Sequence, residues 1–325
     1  MTWGAGHSYG PGSVWGRCGR IKSPAKSVRI VLLMKQSPHI LIVNGTKVCR
    51  PVFVLGAPHS GIDSVARALG NAPGLHMSSS DPGVLEAVYA VARRPSLAEG
   101  QESGTSSLLR DAFAESWQLT PLTCPMCPPG PPPARESSEP CRHARETTRF
   151  GDATPDLLYS ATVLSAAFSD ALFVQLIRDG RDVVTRMLDD ERSLAWFRPS
   201  LANLEHELPN PFFGIETEEE RDGYPELSTA AKCAMRWRGA VRLSARLRGL
   251  LGTDRLMTLR YEDVAGGEVE TAEQLRRFTG IRVSATDLTH GATPGIGTWR
   301  GRLTRDQYDA VRSVARTELS RLGYG

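Results

Sequence analysis

The sequence predicts an α/β fold of three layers, a central parallel sheet with helices on both faces, and three observations carry that prediction. Apolar runs alternate along the chain with segments of helical spacing. The clearest run, Val52 to Leu55 before Gly56, is apolar throughout, as strands buried on both faces are. That run leads through a glycine-bounded turn into a helical pattern, the arrangement that sets a ligand at the carboxyl ends of parallel strands.

Taken in order, residues 1–27 are rich in Gly, Ser and basic side chains without either periodicity, so a disordered extension is expected there and a folded domain over 28–325. The segment 28–54 holds two or three short β-like runs, of which RPVFVLG (50–56) is the first core strand. In SGIDSVARAL, Ser60 is a candidate N-cap and apolar residues at 62, 65, 66 and 69 keep helical spacing. Helical patterns fill 83–118, and 121–149 is a Cys- and Pro-rich insert expected to lack regular structure. TPDLLYSATVLSAAF reads as a helix, ALFVQLI (171–177) as a second strand, and RDVVTRMLDDERSLAWF as one helix. Residues 198–228 read as loop, 228–251 as a long amphipathic helix, RLMTLRYED as a third strand and TAEQLRRFTG as a helix closed by Gly280. A loop and the helix TRDQYDAVRSVARTELSRLG follow.

The 325 residues are 40% hydrophobic and 23% charged, with a net charge of +3. So slight a basic excess argues against nucleic acid or an anionic membrane as partner and favours small-molecule chemistry. The most apolar window, 28–43, is interrupted by Lys35, Gln36, Ser37, Pro38 and His39 and falls short of the ~18 residues a membrane span needs. It has no small-residue cleavage site directly downstream, so a cytoplasmic location is expected. Six cysteines in a chain of this length do not make a secreted disulfide scaffold.

The turn GAPHSGIDS (56–64) places backbone N–H groups and a helix N-terminus at one point, which is the physics of anion binding. Its Gly56 and Gly61 have the separation of a triphosphate loop, but Ile62 and Asp63 stand where Lys and Ser/Thr belong. An ordinary strand-to-helix turn is the alternative reading. A second charged turn, RDGRDVV, follows the strand that ends at Ile177, and a surface ion-pair cluster is the alternative there.

Five blocks in succession resemble the sulfotransferases that use 3′-phosphoadenosine 5′-phosphosulfate (PAPS): RPVFVLGAPHSGIDSVARAL, GDATPDLLY to RDGRDVVTRML, LSTAAKCAMRWRGAV, LMTLRYEDV to RRFTGI, and GIGTWRGRLTRDQYDAV. The resemblance spans about residues 50–325 and implies a P-loop-type three-layer sandwich that moves a sulfuryl group from PAPS to a hydroxyl or amine of a small molecule. It implies that Pro58, Ser60, Gly61, Ile62, Asp63 and Ser64 wrap the phosphosulfate, with His59 in the place of the family's Lys or Arg. Both hydroxyls of the family pattern are replaced here, by Ile62 and Asp63. It also implies that Arg178 and Arg186 hold the 3′-phosphate, with Arg186 where the family has serine, and that Tyr261 meets the adenine. Trp237 is implied as core or adenine shelf, and Gly297, Trp299 and Arg300 as the last nucleotide loop, without its upstream basic pair, since Ala292 and Thr293 stand there. The implied general base lies after the first helix, where Asp81 is the nearest candidate and Glu86 and His76 the reserves. Helix capping, an exposed helix face and a loop position are their respective alternatives. Residues 186–228, with Trp196, Phe197, Phe212 and Phe213, are expected to help form the acceptor site.

The insert presents Cys124 and Cys127 as C-x2-C, then Cys141 and His143 as C-x-H. Structural zinc, free thiols on a mobile loop, and a disulfide all fit that spacing. Two other functions remain beside sulfuryl transfer. One is a degenerate member that binds a nucleotide or partner without catalysis. The other is a phosphotransferase, disfavoured by the missing lysine and magnesium-binding hydroxyl. The sequence does not fix an oligomeric state.

Overall fold

The computed structural model describes residues 40–79, 81–98, 103–124, 126–127, 140–198, 207–290 and 295–325. The expected disorder of 1–27 lies outside them, as do Ala292 and Thr293. Five strands, β1 (Val52–Gly56), β2 (Leu75–Ser78), β3 (Arg149–Asp152), β4 (Leu172–Ile177) and β5 (Leu256–Arg260), form one parallel sheet in the order 2-3-1-4-5. The winding reverses between β1 and β4, which opens a crevice at the carboxyl ends of those two strands.

Side chains alternate across the sheet. Phe53, Leu55, Phe150 and Phe173 face one way, onto helices α2 (Pro82–Ala92), α3 (Ser103–Ser116), α6 (Gly180–Leu188), α8 (Thr229–Leu251) and α11 (Arg305–Arg321). Val52, Val54, Leu172 and Val174 face the other, onto α1 (Ile62–Gly70), α9 (Tyr261–Gly266) and α10 (Val269–Thr279). These are the three layers the sequence predicts. Val65 and Leu69 show why the α1 pattern binds the sheet: both are fully buried, and truncating such a leucine to alanine costs about 2–5 kcal/mol.

Several elements differ from the sequence reading. Strands β2 (LHMS) and β3 (RFGD) were not expected, being four residues long and ending in polar side chains. Part of the insert is regular: α4 (Arg142–Glu146) is capped by Cys141 and runs almost directly into β3. Tyr261 begins α9 rather than continuing β5, and α8 and α11 hold nearly the expected bounds. The segment read as one helix after Gly180 is two, because Asp190 caps α7 (Glu191–Ala195) by accepting from the N–H groups of Arg192 and Ser193. Among the described residues no helix is long and apolar enough to cross a membrane.

Candidate active site

The loop from β1 to α1 turns on two residues of positive φ, His59 at 60° and Gly61 at 94°. At Gly61 this backbone needs glycine for a second reason, because a Cβ there would collide with the Tyr261 ring. Gly61, not Ser60, is the N-cap. The Ser60 hydroxyl instead donates to the Ala57 carbonyl at 2.7 Å, and Ile62 is buried in the core. Neither side chain is left to hold a ligand. What remains at the start of α1 is backbone: the N–H groups of Gly61, Ile62 and Asp63 have no acceptor among the described residues. Such unpaired donors, with the helix dipole behind them, attract an anion. The Asp63 carboxylate is exposed, and Ser64 is buried.

His59 is not bare. Its Nε2 lies 3.0 Å from Asp190 Oδ2 and 3.2 Å from Ser193 Oγ, while the Ser193 hydroxyl itself donates to Asp190 at 2.7 Å. Nε2 therefore faces acceptors and carries a proton, and Nδ1 is where a second proton would enter. Burial lowers the imidazole pKa from 6.5, Asp190 pulls it back up, and the charges of Arg178 and Arg186 press it down again. The net direction is down. Burial thus favours the neutral ring, and an anion beside it would favour the charged one.

The turn after β4 is a scaffold of charges most of whose groups are satisfied within it. Arg178 is buried, donates to the carbonyls of His59 (2.9 Å) and Gly295 (2.8 Å), and lies over the Tyr261 ring at 4.1 Å. Its Nε is buried and unpaired among the described residues. Asp179 caps α6 and pairs with Arg181 at 2.8 Å. Asp182, also buried, accepts from the N–H groups of Gly297 (2.7 Å) and Trp299 (3.0 Å) and from the Thr298 hydroxyl (3.1 Å). One carboxylate thus fixes the loop after residue 295. Trp299 stacks on Tyr308, with Arg181 and the exposed Arg300 over its ring. Arg186, on the last turn of α6, makes no hydrogen bond or ion pair among the described residues, although its charge reaches both His59 and Arg178.

The structure thus gathers His59, Arg178, Arg186, Gly61 and Tyr261 at the carboxyl ends of β1 and β4. Tyr261 wedges between Gly61 and Arg178, and Trp237 is core, donating to the Arg178 carbonyl at 3.2 Å while its ring packs on Gly180. The base candidates lie at the neighbouring strand ends. Asp81 is the N-cap of α2, accepting from Val84 N–H at 3.1 Å, and Glu86 is on an exposed helix face. His76 lies on β2 with its pKa lowered by burial and its Nε2 unpaired among the described residues.

Sequence reasoning missed Asp152, the last residue of β3. It is fully buried, accepts from Thr154 N–H (2.7 Å) and from the hydroxyl of half-buried Ser78, and burial pushes its pKa up to about 6 over those hydrogen bonds, with the Asp81 charge adding to the rise. Only the strand that carries it could have signalled this, and that strand, which begins where the insert ends and runs into the block GDATPDLLY, was not read as one. Of the expected acceptor aromatics, Phe212 and Phe213 are core, whereas half-buried Trp196 meets Tyr89 at 4.9 Å under the Arg93 guanidinium. Burial pushes the Tyr89 phenol up to about 12, with the charge of Asp156 adding to the rise.

A profile described as "Sulfotransferase family" matches residues 51–285. No curated protein sequence matches the chain. Among solved structures, a sulfotransferase from Alicyclobacillus acidocaldarius aligns at 16% identity over 85% of this chain and 95% of its own, with a TM-score of 0.44. The sulfotransferase domain of the Synechococcus PCC 7002 olefin synthase aligns at 17% over 82% and 94%, TM-score 0.43. A mouse sulfotransferase complexed with PAP aligns at 11% over 85% and 86%, TM-score 0.42.

Proposed function

We propose that this chain, which belongs to the sulfotransferase family, transfers a sulfuryl group from PAPS to a hydroxyl or amine of a small-molecule acceptor. The observation that carries the reading is the unpaired donor set at the start of α1, the N–H groups of Gly61, Ile62 and Asp63, with the unpartnered cation of Arg186 near enough for its charge to act on His59. In this reading the N–H groups and His59 receive the 5′-phosphosulfate, and Arg186 the 3′-phosphate. Arg178 acts from behind, shaping the loop through the His59 carbonyl rather than reaching out to the ligand.

Transfer needs charge stabilised on the leaving phosphate and a proton taken from the acceptor. The first task falls to His59. A dianion beside it raises the imidazole pKa, Nδ1 takes a proton, and the resulting cation, tethered through Nε2 to Asp190, faces the developing charge. The second task falls to Asp152 acting through Ser78: the serine hydroxyl passes its proton to the buried carboxylate and accepts the one from the attacking hydroxyl or amine. A carboxyl poised near 6 suits such a base. Tyr89 and Trp196 offer an aromatic wall to an organic acceptor.

A second reading, nucleotide binding without transfer, is favoured by the two hydroxyls missing from the loop and by Ser60 being spent on Ala57. Calorimetric titration with adenosine 3′,5′-bisphosphate, with ADP as control, tests the shared premise. Micromolar binding of the bisphosphate alone is the expected result, and binding of neither overturns both readings. Transfer from labelled PAPS to a panel of phenols, alcohols and amines then separates them. A chain that binds and never transfers is the degenerate one.

A further inference from the structure

We propose that Cys124, Cys127, Cys141 and His143 form a closed structural zinc site. The inference does not depend on sulfuryl transfer. The four side chains each offer one ligand atom, and those atoms all lie within 4.8 Å of one another. Cys124 Sγ and Cys127 Sγ stand 3.7 and 3.6 Å from His143 Nδ1. Zinc bonds of about 2.3 Å to sulfur and about 2.05 Å to nitrogen, opened at the tetrahedral angle, set Sγ and Nδ1 about 3.6 Å apart. Those two edges of the cluster already match that tetrahedron, and the other ligand atoms lie close enough to close it with small shifts.

The backbone is arranged for the same end. Cys127 N–H donates to the Cys124 carbonyl at 3.2 Å, closing the turn that aims both thiols inward. Cys141 N–H donates to the Leu119 carbonyl at 3.0 Å, which joins the two halves of the site across the insert. Cys141 also caps α4, its Sγ accepting from Ala144 N–H at 3.4 Å, and the first turn of that helix carries His143 back to the other sulfurs. Such an N–H to sulfur bond steadies a thiolate and orients it toward a metal.

Without a metal the packing is thin. The local apolar cluster is Leu119, Cys124, Cys141 and Ala144 with Cys127 against it, separate from the two main cores. So small a cluster needs a staple to order a proline-rich segment. A disulfide would use two of three equivalent thiols and leave the third and the imidazole without purpose. Three thiolates and an imidazole are the soft donor set that selects zinc over magnesium or calcium, and four protein ligands leave no open position, so the site is structural rather than catalytic. It sits at the entry to β3: Thr147, two residues before the strand, donates its N–H to the His143 carbonyl and accepts at its own carbonyl from Thr46. The metal would therefore fix the start of the strand that ends in Asp152.

The test is metal analysis of the full chain purified under reducing conditions. One zinc per chain is expected, removable by a strong chelator with a fall in the thermal midpoint that added zinc reverses. Cobalt in its place should give the absorption of a tetrahedral thiolate site. Cys127→Ser and His143→Ala should each hold less zinc than wild type, while Cys49→Ser, outside the cluster, should still hold one. If the variants fail to fold, the wild-type chain alone decides. Absence of zinc with no cobalt–thiolate absorption, iron in place of zinc, or a disulfide among the three cysteines under reducing conditions would each overturn the proposal.

Discussion

Asp152 at the end of β3 and Asp190 at the break between α6 and α7 are the same side chain in opposite states. Asp152 is fully buried, and desolvation outweighs its two hydrogen bonds, so its carboxyl titrates near 6. Burial also pushes Asp190 upward, but the Ser193 hydroxyl, the Arg192 N–H and His59 prevail and hold it below the usual carboxylate range. The difference teaches how one residue type is divided between tasks: a carboxyl that can exchange a proton near neutrality on one side, and a standing anion that keeps a histidine in place on the other.

The sharpest way to break this comparison is Asp152→Asn, which keeps the shape and removes the base. Transfer from PAPS should fall about 100- to 10,000-fold in kcat/KM, and the wild-type rate should show a limb near pH 6 that the variant lacks. A variant that kept both would remove Asp152 from the chemistry. Next in size is Arg186→Gln. Calorimetry should show bisphosphate affinity reduced about 10- to 100-fold, the scale of a lost charge-assisted hydrogen bond, with urea unfolding unchanged to within about 0.5 kcal/mol because the side chain has no internal partner.

The histidine side of the comparison is sharpened by pH. The pKa of His59 is depressed in the free chain, so the neutral form is favoured there, and its contribution to stability is lost as pH falls below 6.5 toward the depressed value. A bound dianion reverses the preference, so binding takes up a proton. Bisphosphate affinity should therefore rise as pH falls through the region around 6.5, by at most about tenfold per pH unit, and His59→Asn should flatten that slope relative to wild type. The smallest effect expected is that of Asp190→Asn. Losing its charge lowers the His59 pKa further, so affinity between pH 6 and 7 should drop a few-fold and rejoin wild type above about pH 8, where the imidazole is neutral in both.

Much of this was legible in the chain. The runs at 52–56 and 171–177 are apolar enough to announce themselves, and the turns after them place His59 and Arg178 at one sheet end, with Arg186 on the helix that follows the second. Strands β2 and β3 were hidden because they are short and because Ser78 and Asp152 look like loop residues until their pairing is seen. The break at Asp190 was hidden for another reason: helical spacing continues across it, and only the capping bonds to Arg192 and Ser193 reveal a second helix. The three cysteines and the histidine of the insert were visible by type and spacing, but their convergence depends on α4, in a segment whose prolines argued against any helix.

The clamp formed by Arg178 has a consequence for how the chain matures. One side chain holds carbonyls at residues 59 and 295, a contact 117 residues away on one side and 119 on the other. Contacts of such sequence separation form late, after the loop-closure entropy has been met by the rest of the sheet. On the ribosome the cradle at α1 can be shaped early, yet its second strut has to wait until residue 295 has been synthesised. A ligand that needs the finished cradle should therefore slow unfolding of the native chain and leave the refolding phases at their unliganded rates.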